Sequence, residues 1–185
     1  MKKRIITAIL FALSLNANAV DTLQAASVKP VITIAALDVP RYLGTWYEIA
    51  KFENRFQKKC VGFTSATYSA LPDDKVQVVN RCQGSSGEAI EAIGEARQVG
   101  NSSSPKLKVR FAPAFLSFLP MVWGDYWVID LDKDYQLAAV SEAKREFLWI
   151  LSRTKKVDKE KYDALVARLV AQGLDVSKLV LTKQE

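Results

Sequence analysis

Apolar and polar positions alternate in short runs from residue 38 to residue 154, and polar clusters separate the runs. The segment KLKVRF shows the pattern most cleanly. Leu107, Val109 and Phe111 fall on one face of an extended chain, and Lys106, Lys108 and Arg110 fall on the other. Runs of this kind, rich in β-branched and aromatic residues, predict eight strands over 45–51, 61–68, 75–82, 88–97, 106–111, 126–131, 135–141 and 147–153. The separators LPDD, QGSSG, VGNSSSP and DKD are short polar turns that suit antiparallel neighbours. An all-β fold follows, an eight-stranded antiparallel up-and-down β-barrel, which has no exposed edge and can hold one small ligand. A two-sheet sandwich has the same strand count, but its Greek-key connections are longer than the turns found here.

The period changes after the eighth run. Tyr162, Leu165, Val166, Leu169 and Val170 share one stripe of a helix over about 159–172, with Asp158 as N-cap and Gly173 as stop. This C-terminal helix should pack on the barrel wall, and LVLT (179–182) can add a last short strand. One stretch fits neither period. FAPAFLSFLPMVWGDYW (111–127) is almost entirely apolar, yet Pro113 and Pro120 keep it out of a ladder and out of a continuous helix.

With 49% apolar and 25% charged residues, the chain of 185 residues reads as a single globular domain. Its first nineteen residues, MKKRIITAILFALSLNANA, run from a basic start through an apolar stretch to Ala17-Asn18-Ala19, the pattern of a cleaved secretory signal with Val20 as the mature N-terminus. Residues 20–37 lack period and read as a loosely ordered lead-in, which leaves 38–185 as the barrel domain. No cysteine precedes Cys60, so no N-terminal lipid anchor is expected, and no later stretch of about 20 apolar residues predicts a membrane span. Half of the formal net charge of +6 lies on Lys2, Lys3 and Arg4. The mild remainder, with no basic stripe interleaved with aromatics, gives no indication of nucleic-acid binding. In an exported chain, the pair Cys60 and Cys82 reads as a disulfide.

The absence of histidine removes the usual triads, the commonest general base and the commonest metal ligand. Neither a cofactor nor a metal site is expected, since two paired cysteines leave no thiolate and no glycine-rich phosphate loop occurs. Alternation instead lines a cavity with Glu48, Ala50, Ala66, Tyr68, Val78, Asn80, Val109, Phe111, Tyr126, Val128 and Trp149. Tyr126 and Trp127 compete for the inward position on the sixth strand. Small residues such as Ala50 and Ala66 favour open volume over a packed core.

The segment RYLGTWYEIAKFENRFQK contains Gly44-Thr45-Trp46, VIDLDKDYQLAAV contains a turn with Asp132, and LWILSRT ends at Arg153. In these three places the chain resembles the lipocalin family, in particular its bacterial, apolipoprotein D-like branch. Leu131 and Lys133 depart from the usual neighbours of the turn aspartate. The resemblance covers residues 38 to about 183. It implies a barrel floor built from Gly44, Trp46, Asp132 and Arg153, with the arginine lying across the tryptophan ring, an arrangement that also suits a cation–π pair.

The expected ligand has a long apolar body and a polar end, a fatty acid or lysophospholipid, held reversibly with no covalent step. The resemblance implies a place in the envelope of a Gram-negative bacterium, in the periplasm and peripheral to the outer membrane, with a role in lipid traffic or membrane maintenance. The expected assembly is a monomer or weak dimer. Strand direction puts Cys60, Cys82 and the 112–125 connector at the open mouth. There Phe115, Leu116, Phe118, Leu119, Met121 and Val122 either cover the ligand, enter a bilayer surface or tuck onto the barrel. Two alternatives to carriage stand: a barrel enzyme acting on a lipid or isoprenoid through Glu48, and a protein-interaction module docking through the mouth loop.

Overall fold

The computed structural model describes residues 30–185. The predicted signal at 1–19 and the lead-in up to residue 29 lie outside the described residues. A short helix, α1 (Val39–Tyr42), precedes β1 (Gly44–Phe52), β2 (Cys60–Ala70), β3 (Lys75–Gly84), β4 (Ala89–Gln98), β5 (Lys106–Arg110), β6 (Gly124–Leu131), β7 (Leu137–Ser141) and β8 (Leu148–Ser152). Helix α2 (Lys159–Ala171) and β9 (Leu179–Leu181) follow. Each of β1 to β7 pairs antiparallel with the next, and β1 also pairs with β8, so the sheet closes into a barrel and the sandwich is excluded. Strand β9 adds to the edge of β1 opposite β8, over Ala50–Phe52, beyond the stretch paired with β2.

Most differences from the predicted elements lie at their ends. The seventh strand starts at Leu137 because Tyr135 sits in the preceding turn with φ +57°, a left-handed conformation a strand cannot hold. The fifth strand stops at Arg110, short of Phe111, and the sixth begins two residues early at Gly124. Strand β5 is short, so β4 pairs with it only over Glu95–Gln98, while β4 pairs with β3 from Ala89 to Arg97.

Helix α2 forms as its capping pattern predicts, with the Asp158 carboxylate accepting the Lys161 amide at 3.1 Å. It lays Leu165 and Leu169 against Ala139, Leu148 and Ile150 on the outer wall, and both leucines are fully buried. Burial of each contributes roughly 1.5–3 kcal/mol. Arg168 fixes the azimuth of the helix by a bidentate pair to Asp130 at 2.7 and 2.9 Å.

The barrel therefore has two apolar cores, one inside around Trp46 and one outside beneath the helix. The boundary between them corrects one expected position. Strand β1 carries a bulge between Glu48 and Ala50, and an extra residue reverses the facing of everything beyond it. Trp46 faces the interior, but Ala50 and Phe52 belong to the helix-side core. Ala50 thus makes room for the helix rather than for a ligand. The lead-in also proves partly ordered, since Val31 and Leu37 are buried and the Leu37 amide donates to the Ser103 carbonyl at 2.8 Å.

Candidate functional site

The barrel encloses a cavity of about 770 Å³. Of the predicted lining, Glu48, Ala66, Tyr68, Val78, Asn80, Val109, Phe111, Tyr126 and Trp149 border it. Val128 faces the interior as expected but does not border the cavity, because it is packed completely within the core around Trp46. The parity of β6 is settled for Tyr126: Trp127 turns outward to the helix-side core, with the Lys106 ammonium 4.2 Å from its ring centre.

The floor is built from the residues the motifs single out. Trp46 is fully buried, donates its indole N–H to the Tyr42 carbonyl at 2.8 Å, and carries the Arg153 guanidinium 4.0 Å from its ring centre. That guanidinium also donates to the carbonyls of Arg41, Thr45 and Tyr135 at 2.9, 3.1 and 3.2 Å, so it ties α1, β1 and the β6–β7 turn together. Gly44 has φ +93°, and a Cβ there would lie 3.2 Å from Arg153 Nη1, so both backbone conformation and space require glycine. Asp132 holds the neighbouring turn by accepting the amides of Gln136 and Leu137, each at 2.6 Å, and of Asp134 at 3.0 Å. Its place in the turn matches the motif despite the changed neighbours.

Directly on the floor stand three tyrosines, of which alternation found Tyr68 and Tyr126 but missed Tyr42. Tyr42 belongs to α1, a single turn whose signals are the Asp38 cap and Pro40 in VPRY, too short for any periodicity to register. The Tyr126 hydroxyl lies 2.9 Å from the hydroxyls of both Tyr42 and Tyr68. Burial raises all three side chains well above the usual phenol range, with Tyr68 pushed up to about 12. They therefore remain neutral hydrogen-bond donors throughout the physiological range.

Higher in the barrel, Glu48 is buried and satisfied. Its carboxylate accepts from Gln57 Nε2 and Thr182 Oγ1, each at 2.5 Å, and pairs with Lys51 Nζ at 3.1 Å. Gln57 in turn accepts the Trp149 indole N–H at 3.0 Å, so one network joins β1, β8, the loop after β1 and Thr182 just beyond β9. Gln57 lies in that loop, in a 3₁₀ turn beyond the reach of strand alternation. Among the described residues, no group of three or more acidic or cysteine side chains is placed to hold a metal ion.

At the mouth, Cys60 and Cys82 form a disulfide with a Cα separation of 5.6 Å, and both border the cavity. Phe56, Phe147 and Trp149 make a staircase of rings, with centres 5.5 and 5.8 Å apart, that leads inward from the rim. The apolar connector between β5 and β6 folds as two 3₁₀ turns, Ala114–Leu116 and Pro120–Val122. Trp123 pins it: the indole donates to the Ser117 carbonyl at 2.8 Å, and its ring lies 4.3 and 5.3 Å from the guanidinium carbons of Arg97 and Arg110. Leu116, Leu119 and Val122 are half-buried, whereas Phe115, Phe118 and Met121 remain 74, 76 and 85% exposed. Met121 and Val122 also border the cavity, so the loop has an inward and an outward side.

A family model described as a lipocalin-like domain matches residues 37–184. The chain is 44% identical over 158 residues to temperature-induced lipocalin-1 of Arabidopsis thaliana, with 84% of each chain covered. It is 37% identical over 157 residues to the outer membrane lipoprotein Blc of Escherichia coli (strain K12), again with 84% of each covered. Apolipoprotein D of Mus musculus is 31% identical over 154 residues, covering 80% of this chain and 77% of its own length. Among solved structures, insecticyanin from the tobacco hornworm superposes with a TM-score of 0.62 at 20% identity, covering 84% of each chain. With its closed eight-stranded barrel, its C-terminal helix and the Gly44, Trp46 and Arg153 floor, the chain belongs to the lipocalin family.

Proposed function

We propose that the protein binds and carries an amphipathic lipid, a fatty acid or lysophospholipid, with its hydrocarbon chain in the barrel. The observation that carries this reading is the cavity of about 770 Å³, closed below by Trp46 and walled mostly by apolar side chains. Each methylene withdrawn from water contributes roughly 0.8 kcal/mol, so a long acyl chain supplies most of the affinity. The network around Glu48 serves structure rather than chemistry, because three protein partners already hold the carboxylate. Native mass spectrometry of protein purified from its natural compartment should show co-purified lipid. A ligand-free protein that also fails to take up lysophospholipid from solution overturns the reading.

The same proposal places the protein in a bacterial envelope, exported and peripheral to a membrane. Support comes from the secretory pattern at the N-terminus, the disulfide and the similarity to outer membrane lipoproteins. Membrane contact is assigned to the mouth loop, where the rings of Phe115 and Phe118 project outward. Arg55 and Lys144 at the mouth add attraction to anionic lipid. Phe115→Ser with Phe118→Ser should weaken sedimentation with anionic vesicles by about tenfold or more, since each ring contributes roughly 1.5–3 kcal/mol on burial. Unchanged sedimentation removes the loop from membrane contact.

A further inference from the structure

Three hydroxyl groups bring three protons to the cavity floor, and a hydrogen bond between two of them engages one proton. Tyr126 bonds to Tyr42 and to Tyr68, each at 2.9 Å, and among the described residues these are the only bonds the three hydroxyls make. Two protons are engaged. Whichever way the chain of donors runs, the third O–H has no acceptor among the described residues. A buried donor without an acceptor is costly, and all three side chains border the cavity.

We propose that this tyrosine cluster is a subsite for an uncharged oxygen acceptor, a carbonyl or hydroxyl oxygen, at the deep end of the ligand's hydrocarbon body. The assignment rests on the barrel being a lipid carrier and adds a polar station opposite the mouth. It also limits the ligand's chemistry. A carboxylate buried at the floor would need a cation in contact, and the nearby guanidinium is engaged: Arg153 donates to the carbonyls of Arg41, Thr45 and Tyr135 and lies over the Trp46 ring. A ketone, aldehyde, ester or alcohol oxygen carries no such requirement. The surrounding wall of Leu37, Val39, Val76, Ala96 and Leu107 supplies no competing donor side chain.

The subsite can be tested with hexadecan-2-one labelled with ¹³C at the carbonyl, added to the purified protein and followed by infrared spectroscopy. In the native protein, the C=O stretch of the bound ketone should lie below its value in hexadecane solution. Substitution of Tyr42, Tyr68 and Tyr126 together by Phe should restore the hexadecane value and weaken ketone binding about three- to tenfold. Proton counting distinguishes a milder variant: Tyr68→Phe leaves two hydroxyls sharing one bond, so one proton stays available and the lowered stretch should persist. The native protein alone suffices if the triple variant does not fold, because a hexadecane-like stretch for the bound ketone overturns the subsite. An equally lowered stretch in native and folded triple-variant protein assigns the acceptor to water and overturns it too. Lysophospholipid uptake measured in parallel separates the two ideas: uptake without any tyrosine-dependent shift sinks only the subsite, while no uptake of either probe sinks carriage as well.

Discussion

Trp46→Ala will lower stability by about 3–5 kcal/mol, the usual cost of truncating a fully buried aromatic residue. At this chain length that is a fall of roughly 6–20 °C in melting temperature, readable by circular dichroism. Three losses coincide at the site. The void opens at the closed end of the barrel, the Tyr42 carbonyl loses its 2.8 Å donor, and the Arg153 guanidinium loses the ring it covers at 4.0 Å. The effect should exceed that of any truncation on the mouth loop, where Phe115 and Phe118 are already largely in water. A loss under about 1 kcal/mol would mean that the floor can collapse around the missing ring. Arg153→Lys will not substitute for arginine, since a point charge cannot reach three carbonyls and stack on an indole together.

Removal of the disulfide, by Cys60→Ser with Cys82→Ser, has the second large expected effect. The bridge spans a sequence separation of 22, for which the loop-entropy argument gives about 3 kcal/mol. Urea unfolding should therefore show a lower midpoint, and the change should lie in the unfolded ensemble, leaving the β2–β3 ladder intact in the native state. Strands β2 and β3 are already in register from Ser65↔Arg81 to Ala70↔Val76, whereas the ladder is irregular between Cys60 and Ser65. Amides near Cys60 should thus gain exchange in the double-serine variant before those near Tyr68. If stability does not change, the unfolded chain retains the hairpin without its cross-link.

The barrel was legible from the sequence because its two faces see different solvents. KLKVRF declares its register without ambiguity, and Leu107 and Val109 do border the cavity. Alternation carried across β1 failed at Ala50 because a bulge leaves no mark in the pattern: Trp46, Glu48, Ala50 and Phe52 are all buried at the same spacing, though in two different cores. Val128 shows a different limit. Facing is a matter of parity, but whether an inward residue meets packed core or open space depends on depth along the barrel, which alternation does not encode. Tyr42, Gln57 and Trp123 come from a one-turn helix, a 3₁₀ turn and a loop, where no period exists to read.

The short pairing of β4 with β5 gives the cup an uneven wall. Strand β4 stands beside β3 up to Ala89, but its other edge is paired only as far as Glu95. Above that level the barrel has a notch, and Phe111 lies in it against Gly94, where a Cβ would come within 2.7 Å of the ring. The loop bearing Phe115 and Phe118 hangs over this low side. On this side the wall is held by side-chain packing of Phe111 on Gly94 rather than by ladder hydrogen bonds, so local opening of the barrel should begin there.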